Sequence, residues 1–305
     1  MTTTQAPPDP KTASLTAAVR LPRPRTSRTA TPRALIVPLI VFQTVMCFAP
    51  QLYFYSIAFA TSTGPGAFDA SQWTLENFGQ LFTSPIYRNA IGDTLVFAVS
   101  VVFAVLLLGF PLAHVISRSR TWGVPLLAIV IVTSFTSVIV RVLGWKILLG
   151  DAGPINTALQ HLGLIAEPLR LVNSLPGAVI GTVNAVLPLV VLLLIPVMDQ
   201  IPRSVEDASA GLGAGRARTL WRVVLPLSRA GLLGSAFVTF AYAMGSFTTP
   251  ALLGGNSMIL SVLISQQVRT SVNYPMAATL ALTLMALVVV VLLVATRFDR
   301  KKVSG

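Results

Sequence analysis

Long apolar stretches alternate with short polar segments along the chain. Six stretches carry few charges, and they cover 34–60, 91–117, 122–150, 176–198, 230–253 and 276–296. A helix needs ~20 apolar residues to cross a bilayer, and only helices or closed barrels satisfy their backbone there. The pattern therefore predicts an all-α membrane protein with six transmembrane helices, forming one domain over 34–303. A cleaved signal peptide is disfavoured, because the first stretch is nearly twice the ~7 to 15 apolar residues of a signal sequence.

Charge predicts which side of the membrane each segment faces. The sequence has 22 Lys and Arg against 10 Asp and Glu, a formal net charge of +12, and a mean hydropathy of +0.76. With six spans, 17 of the 22 basic residues lie on the side of the two termini. Three lie on the other side (Arg88, Arg170, Arg269) and two within the third stretch (Arg141, Lys146). Because basic loops stay inside the cell, both termini are predicted to be cytoplasmic, and the basic balance implies no nucleic acid.

The N-terminal residues, the single cysteine and the two histidines indicate no catalytic or metal site. Residues 1–33 are rich in Thr, Pro, Ala and Arg, which predicts a disordered cytoplasmic tail that contacts anionic membrane lipid. Cys47 is the single cysteine, so no disulfide forms within the chain. His114 and His161 lie far apart, without the spacing of metal ligands, so no metal site is predicted.

A polar segment, residues 199–228, separates the fourth and fifth apolar stretches. Ser204 is a favourable N-cap, and Asp207 three residues later completes a capping box. A short helix is therefore predicted here, with Glu206 and Asp207 both at the positive end of its dipole. Residues 208–211 have little side-chain bulk, which is typical of a helix that lies in a partner's groove. The glycines that follow are candidates for its end.

This segment resembles the EAA loop of ABC importer permeases, the membrane subunits that pass substrate from a binding protein while cytoplasmic ATPases supply the energy. The family pattern is Glu-Ala-Ala, three residues, Gly, nine residues, an aliphatic residue, any residue and Leu-Pro. Residues 207–209, Gly213 and 223–226 keep this spacing, with Asp207 and Ser209 as conservative departures. The resemblance implies the type I importer permease fold with a cytoplasmic coupling helix. The implied ATPase-coupling residues are Ser204, Glu206, Asp207, Ala208, Ser209, Gly213, Leu225 and Pro226.

Polar groups within the apolar stretches are candidates for a substrate path. On a straight helix, Arg141 would lie ~14 Å below the outer end, where a charge marks a water-filled path or a paired site unless it snorkels outward. Asn184 lines a kink or forms an interhelical hydrogen bond, and the small residues of the fifth stretch suit a packing interface or a path.

Two further segments resemble the spermidine/putrescine permease subfamily. Residues 140–145 match its V-R-x-x-x-W stretch, and residues 245–255 match its G-D-F-x-T-P-A-L-L-G-G signature, with Ser246 in place of the acid. A carboxylate in a path favours a polyamine cation, whereas a hydroxyl does not. The candidates for the substrate path are Arg141, Trp145, Asn184, Tyr242, Ser246, Phe247 and Thr249.

These patterns favour a non-enzymatic permease subunit of the bacterial inner membrane. The chain contains no G-x-x-x-x-G-K-[ST] loop, so ATP and its Mg²⁺ are assigned to a partner and no cofactor to this chain. The implied partners are an ABC ATPase dimer, a second permease, expected to be a different chain, and an extracytoplasmic binding protein. The family likeness favours a polyamine, and another small organic solute is the alternative. An ion-coupled secondary transporter is disfavoured because the acids lie in loops or at span ends, and an intramembrane enzyme using His114 is less favoured still.

Overall fold

The computed structural model describes residues 32–255 and 258–303, and these residues are mostly helical. Within them, four helices are long and apolar enough to cross a membrane, and the number rises to six if each of two sharply bent helix pairs counts as one span. The predicted all-α membrane fold is thus confirmed. The chain divides into two compact units, 1–52 and 53–305. The predicted tail, 1–33, lies outside the described residues except for its last two positions, which are helical.

Helix α1 (Pro32–Ser56) contains most of the described part of the first unit, and its last turn belongs to the second. A 3-10 turn follows at Ile57–Phe59, and then an antiparallel hairpin of β1 (Ala60–Gly64) and β2 (Ala67–Trp73). The hairpin was not predicted. Its strands mix small and polar residues without a strict apolar alternation, so the sequence carries no period-2 signal for them.

Helix α2 (Glu76–Thr83) is short, and its buried residues are Asn77 and Leu81. The buried amide of Asn77 donates hydrogen bonds of 3.0 Å to the carbonyls of Ala58 and Ala60. These bonds attach α2 to the start of the hairpin. Helix α3 (Pro85–Arg118) follows directly and covers the second apolar stretch.

The third apolar stretch was predicted as one continuous segment, and this is wrong. The structure divides it into α4 (Gly123–Ser134) and α5 (Val138–Leu148), which are bent by 102° relative to each other. The hydroxyls of Thr133 and Ser134 both bond to the carbonyl of Val130 at 2.9 Å. Such side-chain bonds compete with the helical backbone, which accounts for the end of α4 just before the break.

The remaining helices follow the predicted order, with one further break. Helix α7 matches the fourth stretch and α14 contains the sixth, whereas the fifth is split at Ser246 and Phe247 into α11 and α12. Helix α11 is also bent by 79° from the preceding helical segment, Arg216–Leu227. The helices are α6 (Pro154–His161), α7 (Leu175–Asp199), α8 (Arg203–Gly211), α9 (Arg216–Thr219), a π-helical turn (Leu220–Val224), α10 (Leu225–Leu227), α11 (Arg229–Gly245), α12 (Thr248–Leu253), α13 (Leu260–Arg269) and α14 (Tyr274–Val303).

The main core lies where α3, α7 and α11 pack together. Its large, fully buried side chains include Phe97 and Phe110 of α3, Leu194 and Met198 of α7, and Met244 of α11. In lipid, helices associate through close packing and interhelical hydrogen bonds rather than by escape from water. The three helices therefore form the frame that carries both candidate sites.

Candidate functional site

Helix α8 and its flanking turns form the first candidate site, the predicted ATPase-coupling segment. The helix ends in a Schellman motif, in which the N–H of Gly213 donates to Ala210 (2.9 Å) and the N–H of Ala214 to Ser209 (3.1 Å). Gly213 has φ +82°, a left-handed conformation that glycine adopts without steric cost. Gly213 is one of the three glycines that the sequence offered as candidates for the end of the helix, with Gly211 and Gly215.

The predicted capping box is wrong. The N-cap is Pro202 rather than Ser204, and no side chain caps this end of the helix. Pro202 has φ −60° and ψ 135°, an extended conformation, and the helix begins at the next residue. Ser204 is therefore already inside the helix. Of the two carboxylates expected in the first turn, only Glu206 lies there.

The two neighbouring acids of α8 have different surroundings. Glu206 is partly buried, and its carboxylate accepts a hydrogen bond of 2.7 Å from Nε of Arg118 at the end of α3. Nε2 of His114 lies 3.6 Å from the other carboxylate oxygen. Asp207 is exposed. The pair of acids thus has one inward member and one outward member.

The other predicted coupling residues also include both exposed and partly buried side chains. Ser204, Ala208 and Pro226 are exposed, and Leu225 is half-buried against the main core. The hydroxyl of Ser209 lies 3.0 Å from that of Thr219 in α9. The sequence did not single out Arg118 or Thr219 for this site, and it placed His114 only at the end of a span. The available signal was the spacing of His114 and Arg118, which are four residues apart on one face of a helix.

A cavity of about 620 Å³ lies between α8, α9 and the end of α3. Glu206 and Asp207 line it from α8, and Arg216 lines it from α9. His114 also lines the cavity, and its Nδ1 atom is buried with no hydrogen-bond partner among the described residues. The wall therefore carries both charge signs beside small side chains such as Ala210.

The second candidate site is a cavity of about 390 Å³ at the break between α11 and α12. It brings together four of the predicted path residues, Tyr242, Ser246, Phe247 and Thr249, and α5 contributes Val138. Thr249 is buried, and Tyr242 and Phe247 are each 37% exposed. The lining therefore offers two aromatic rings and several hydroxyls.

Three predicted path residues, Arg141, Trp145 and Asn184, do not line this cavity. The guanidinium of Arg141 donates to the backbone carbonyls of Thr133, Thr136 (3.1 Å) and Asn184 (3.4 Å). The depth of ~14 Å expected for Arg141 assumed a straight helix, and the 102° bend removes that basis. Arg141 satisfies carbonyls freed where α4 ends and links that end to α7.

Known proteins resemble this chain over most of its length. The profile of the family described as "Binding-protein-dependent transport system inner membrane component" matches residues 106–304, which include α8. The spermidine/putrescine transport system permease protein PotB of Haemophilus influenzae is 31% identical over 88% of this chain and 96% of its own length. PotB of Escherichia coli K12 is 28% identical over 88% of this chain and 99% of its own.

A solved structure shows the same fold at lower identity. The crystal structure of a bacterial alginate ABC transporter in complex with an alginate pentasaccharide-bound periplasmic protein contains a chain that superposes with a TM-score of 0.69 at 16% identity. The match covers 88% of this chain and 93% of that one. The predicted importer permease fold is confirmed.

Membership of the matching family follows from the profile and the relatives together. It makes this chain a multi-pass inner-membrane permease, the non-catalytic subunit of an ABC transporter whose ATP is bound by a partner ATPase and whose substrate arrives with a binding protein. The family inferred from residues 207–226 is confirmed. The chain belongs to the binding-protein-dependent transport system inner membrane component family.

Proposed function

We propose that this permease imports a polyamine such as spermidine or putrescine, and that α8 is the helix through which the ATPase moves the transmembrane bundle. The main observation in support is that none of the nine residues of α8 is fully buried. It presents Asp207 and Ala208 on an exposed surface. A short exposed helix of small residues, joined to two membrane segments, suits insertion into a groove on a partner.

The proposed orientation follows from charge. With α8 in the cytoplasm, 17 of the 22 basic residues and both termini are cytoplasmic as well. Motion of the ATPase groove would then tilt α7 and α11, between which α8 lies in the chain. The complete transporter would contain an ATPase dimer, a second permease of different sequence, an extracytoplasmic binding protein and surrounding lipid.

The proposed path runs past the cavity at the break between α11 and α12. Aromatic faces attract ammonium groups, so Tyr242 and Phe247 suit a polyamine. Ser246 adds a hydrogen-bond acceptor but no negative charge, so it does not by itself favour a cation. Two relatives named as spermidine/putrescine permeases support this substrate class. No acid lines the cavity within the described residues. Selection for a cation would therefore reside largely in the binding protein, and another small organic solute is the second candidate.

Docking is tested with Ala208→Trp, which adds bulk to the exposed face of α8. The variant is expected to lose the ATPase on co-purification and to lose ATP-driven uptake. Ala158→Trp is the matched control, because Ala158 is also an exposed helical alanine but lies on α6. It should retain the ATPase. Full retention of the ATPase by Ala208→Trp would overturn the docking proposal.

Substrate class is tested in proteoliposomes that contain the complete transporter and its binding protein. Radiolabelled spermidine uptake should require ATP and persist when ion gradients are collapsed. Uptake that stops with the gradient but survives ATP depletion would indicate a secondary transporter. Binding of a different solute with no spermidine uptake would favour the second candidate.

A further inference from the structure

We propose that Arg118 clamps Glu206 and so links α8 mechanically to α3. Nε of Arg118 donates to Glu206 at 2.7 Å, and a terminal nitrogen of the same guanidinium donates to the carbonyl of Ile201 at 2.7 Å. One side chain thus contacts both the helix and the turn that leads into it. The proposal rests on the coupling role of α8.

The clamp is shielded from water more than an ordinary surface ion pair. The exposed fractions of the side chains are 15% for Arg118, 18% for Glu206 and 19% for His114. Exposed pairs contribute little because water and salt screen them, whereas partly buried pairs with good hydrogen-bond geometry are held more firmly. Arg118 makes two bonds of 2.7 Å here. A movement of α8 can therefore be transmitted to α3 through this contact.

The clamp separates the tasks of the two neighbouring acids. Glu206 is occupied by α3, whereas Asp207 is exposed and available to a protein partner. One turn of α8 therefore has an inward connection to the bundle and an outward connection to the ATPase. A displacement imposed on the outward side passes through Glu206 to α3.

A second bond reinforces the link at the same end of α3. The hydroxyl of Ser117 donates to the carboxylate of Asp199, the last residue of α7. The end of α3 is thus tied both to α7 and to α8. In the sequence, α8 directly follows α7 and precedes the segment that leads to α11. The backbone therefore connects α3 to α8 only through α7. The clamp gives α3, the longest of the helices described, its own connection to the coupling helix.

The test is charge reversal in the complete transporter, with ATPase co-purification and solute uptake per ATP hydrolysed measured separately. Arg118→Glu should leave the ATPase bound, because Arg118 lies on α3 and not on the docking helix. It should lower uptake per ATP by about tenfold, within the usual range of coupling between sites. Glu206→Arg changes α8 itself, so it serves only as the second half of the double reversal. The double reversal Arg118→Glu with Glu206→Arg should recover the part of the loss that comes from the ion pair, which a purely structural role of either residue alone would not produce. The bond to the Ile201 carbonyl is not restored, because a glutamate at position 118 has no donor for it.

Arg120→Glu is the matched control. Arg120 is exposed two residues away and forms no ion pair within the part of the chain that the structure describes. Normal uptake per ATP in Arg118→Glu, or an equal loss in Arg120→Glu, would overturn the clamp. Loss of the ATPase in Arg118→Glu would assign Arg118 to docking instead and so overturn the clamp.

A second variant, Arg118→Gln, keeps the test usable if the charge reversal does not fold, because it removes the charge without repulsion. It should also lower uptake per ATP. Wild-type uptake per ATP in Arg118→Gln would refute the proposal. Failure of the docking proposal itself is recognised separately, by the Ala208→Trp variant.

Discussion

Replacement of Gly181 by alanine tests how closely α12 must pack on α7. A Cβ atom at Gly181 would lie 2.6 Å from Cγ2 of Thr249 and 2.7 Å from Cδ1 of Leu253. Carbon atoms in ordinary contact are ~3.5–4.0 Å apart, so each neighbour would have to move by about 1 Å. Both neighbours are almost fully buried, at 1% and 0% exposure, and have little space to move into.

The expected cost follows from two opposing effects. Overpacking of this kind destabilises by roughly 1–3 kcal/mol, and the upper part of that range applies where two buried side chains are displaced. Alanine gains about 1 kcal/mol over glycine through its helix propensity. The net destabilisation is therefore about 1–2 kcal/mol, which corresponds to a lowering of the melting temperature by roughly 2–5 °C. Because Thr249 also lines the proposed path, uptake should fall while the ATPase stays bound.

The assay is the thermal loss of the monodisperse peak of the purified protein in size-exclusion chromatography. Gly234→Ala in α11 is the control, because a Cβ there meets nothing within 4 Å. It should be at least as stable as the wild type, since it gains helix propensity without a clash. Equal melting temperatures for Gly181→Ala and Gly234→Ala would refute the claim that the α7–α12 contact tolerates no added methyl group.

Two further substitutions test buried hydrogen bonds. Asn156→Ala should destabilise by about 2–3 kcal/mol, because the Asn156 amide donates to the carbonyls of Gly150 and Leu169 (3.0 Å each) and accepts from the N–H of Leu169 (2.9 Å). The same chromatographic assay measures this, and Gln160→Ala on the exposed side of α6 should match the wild type. Thr94→Val should lower the free energy of unfolding by about 1 kcal/mol, because the Thr94 hydroxyl accepts from the N–H of Leu260 at the start of α13 (2.9 Å). Thr94→Ser keeps the hydroxyl and should retain stability. An equal loss in both Thr94 variants would contradict this role.

The hydrophobic pattern predicted the positions of the apolar helices well and their continuity poorly. The length of an apolar stretch is a strong signal for α7, whose ends lie within one residue of the predicted 176–198. A break is a weak signal, because it depends on two or three residues inside a stretch that is still apolar on average. Residues 135–137 and 246–247 are such breaks, and neither contains proline or glycine.

Local rules were reliable for one end of α8 and wrong for the other. Gly213, one of three candidate glycines, ends the helix because glycine adopts its φ of +82° easily. At the other end, Ser204 was a good N-cap by type, but the N-cap is Pro202, two residues earlier. The bond between Arg118 and Glu206 joins residues 88 positions apart, and the local pattern contains no information about such a pair.

The two unpredicted breaks are related to each other in the folded chain. Val138, the first residue after the break in the third stretch, lines the same cavity as Ser246 and Phe247, which form the break in the fifth. Irregular backbone at membrane depth is tolerated where it is covered by protein or lines a water-filled cavity. Arg141 is bonded to carbonyls at the first break, so its charge serves the backbone there. Aromatic rings and hydroxyls therefore remain on the wall of this cavity. Under the proposed function, such a wall suits a path that guides a substrate already selected by the binding protein.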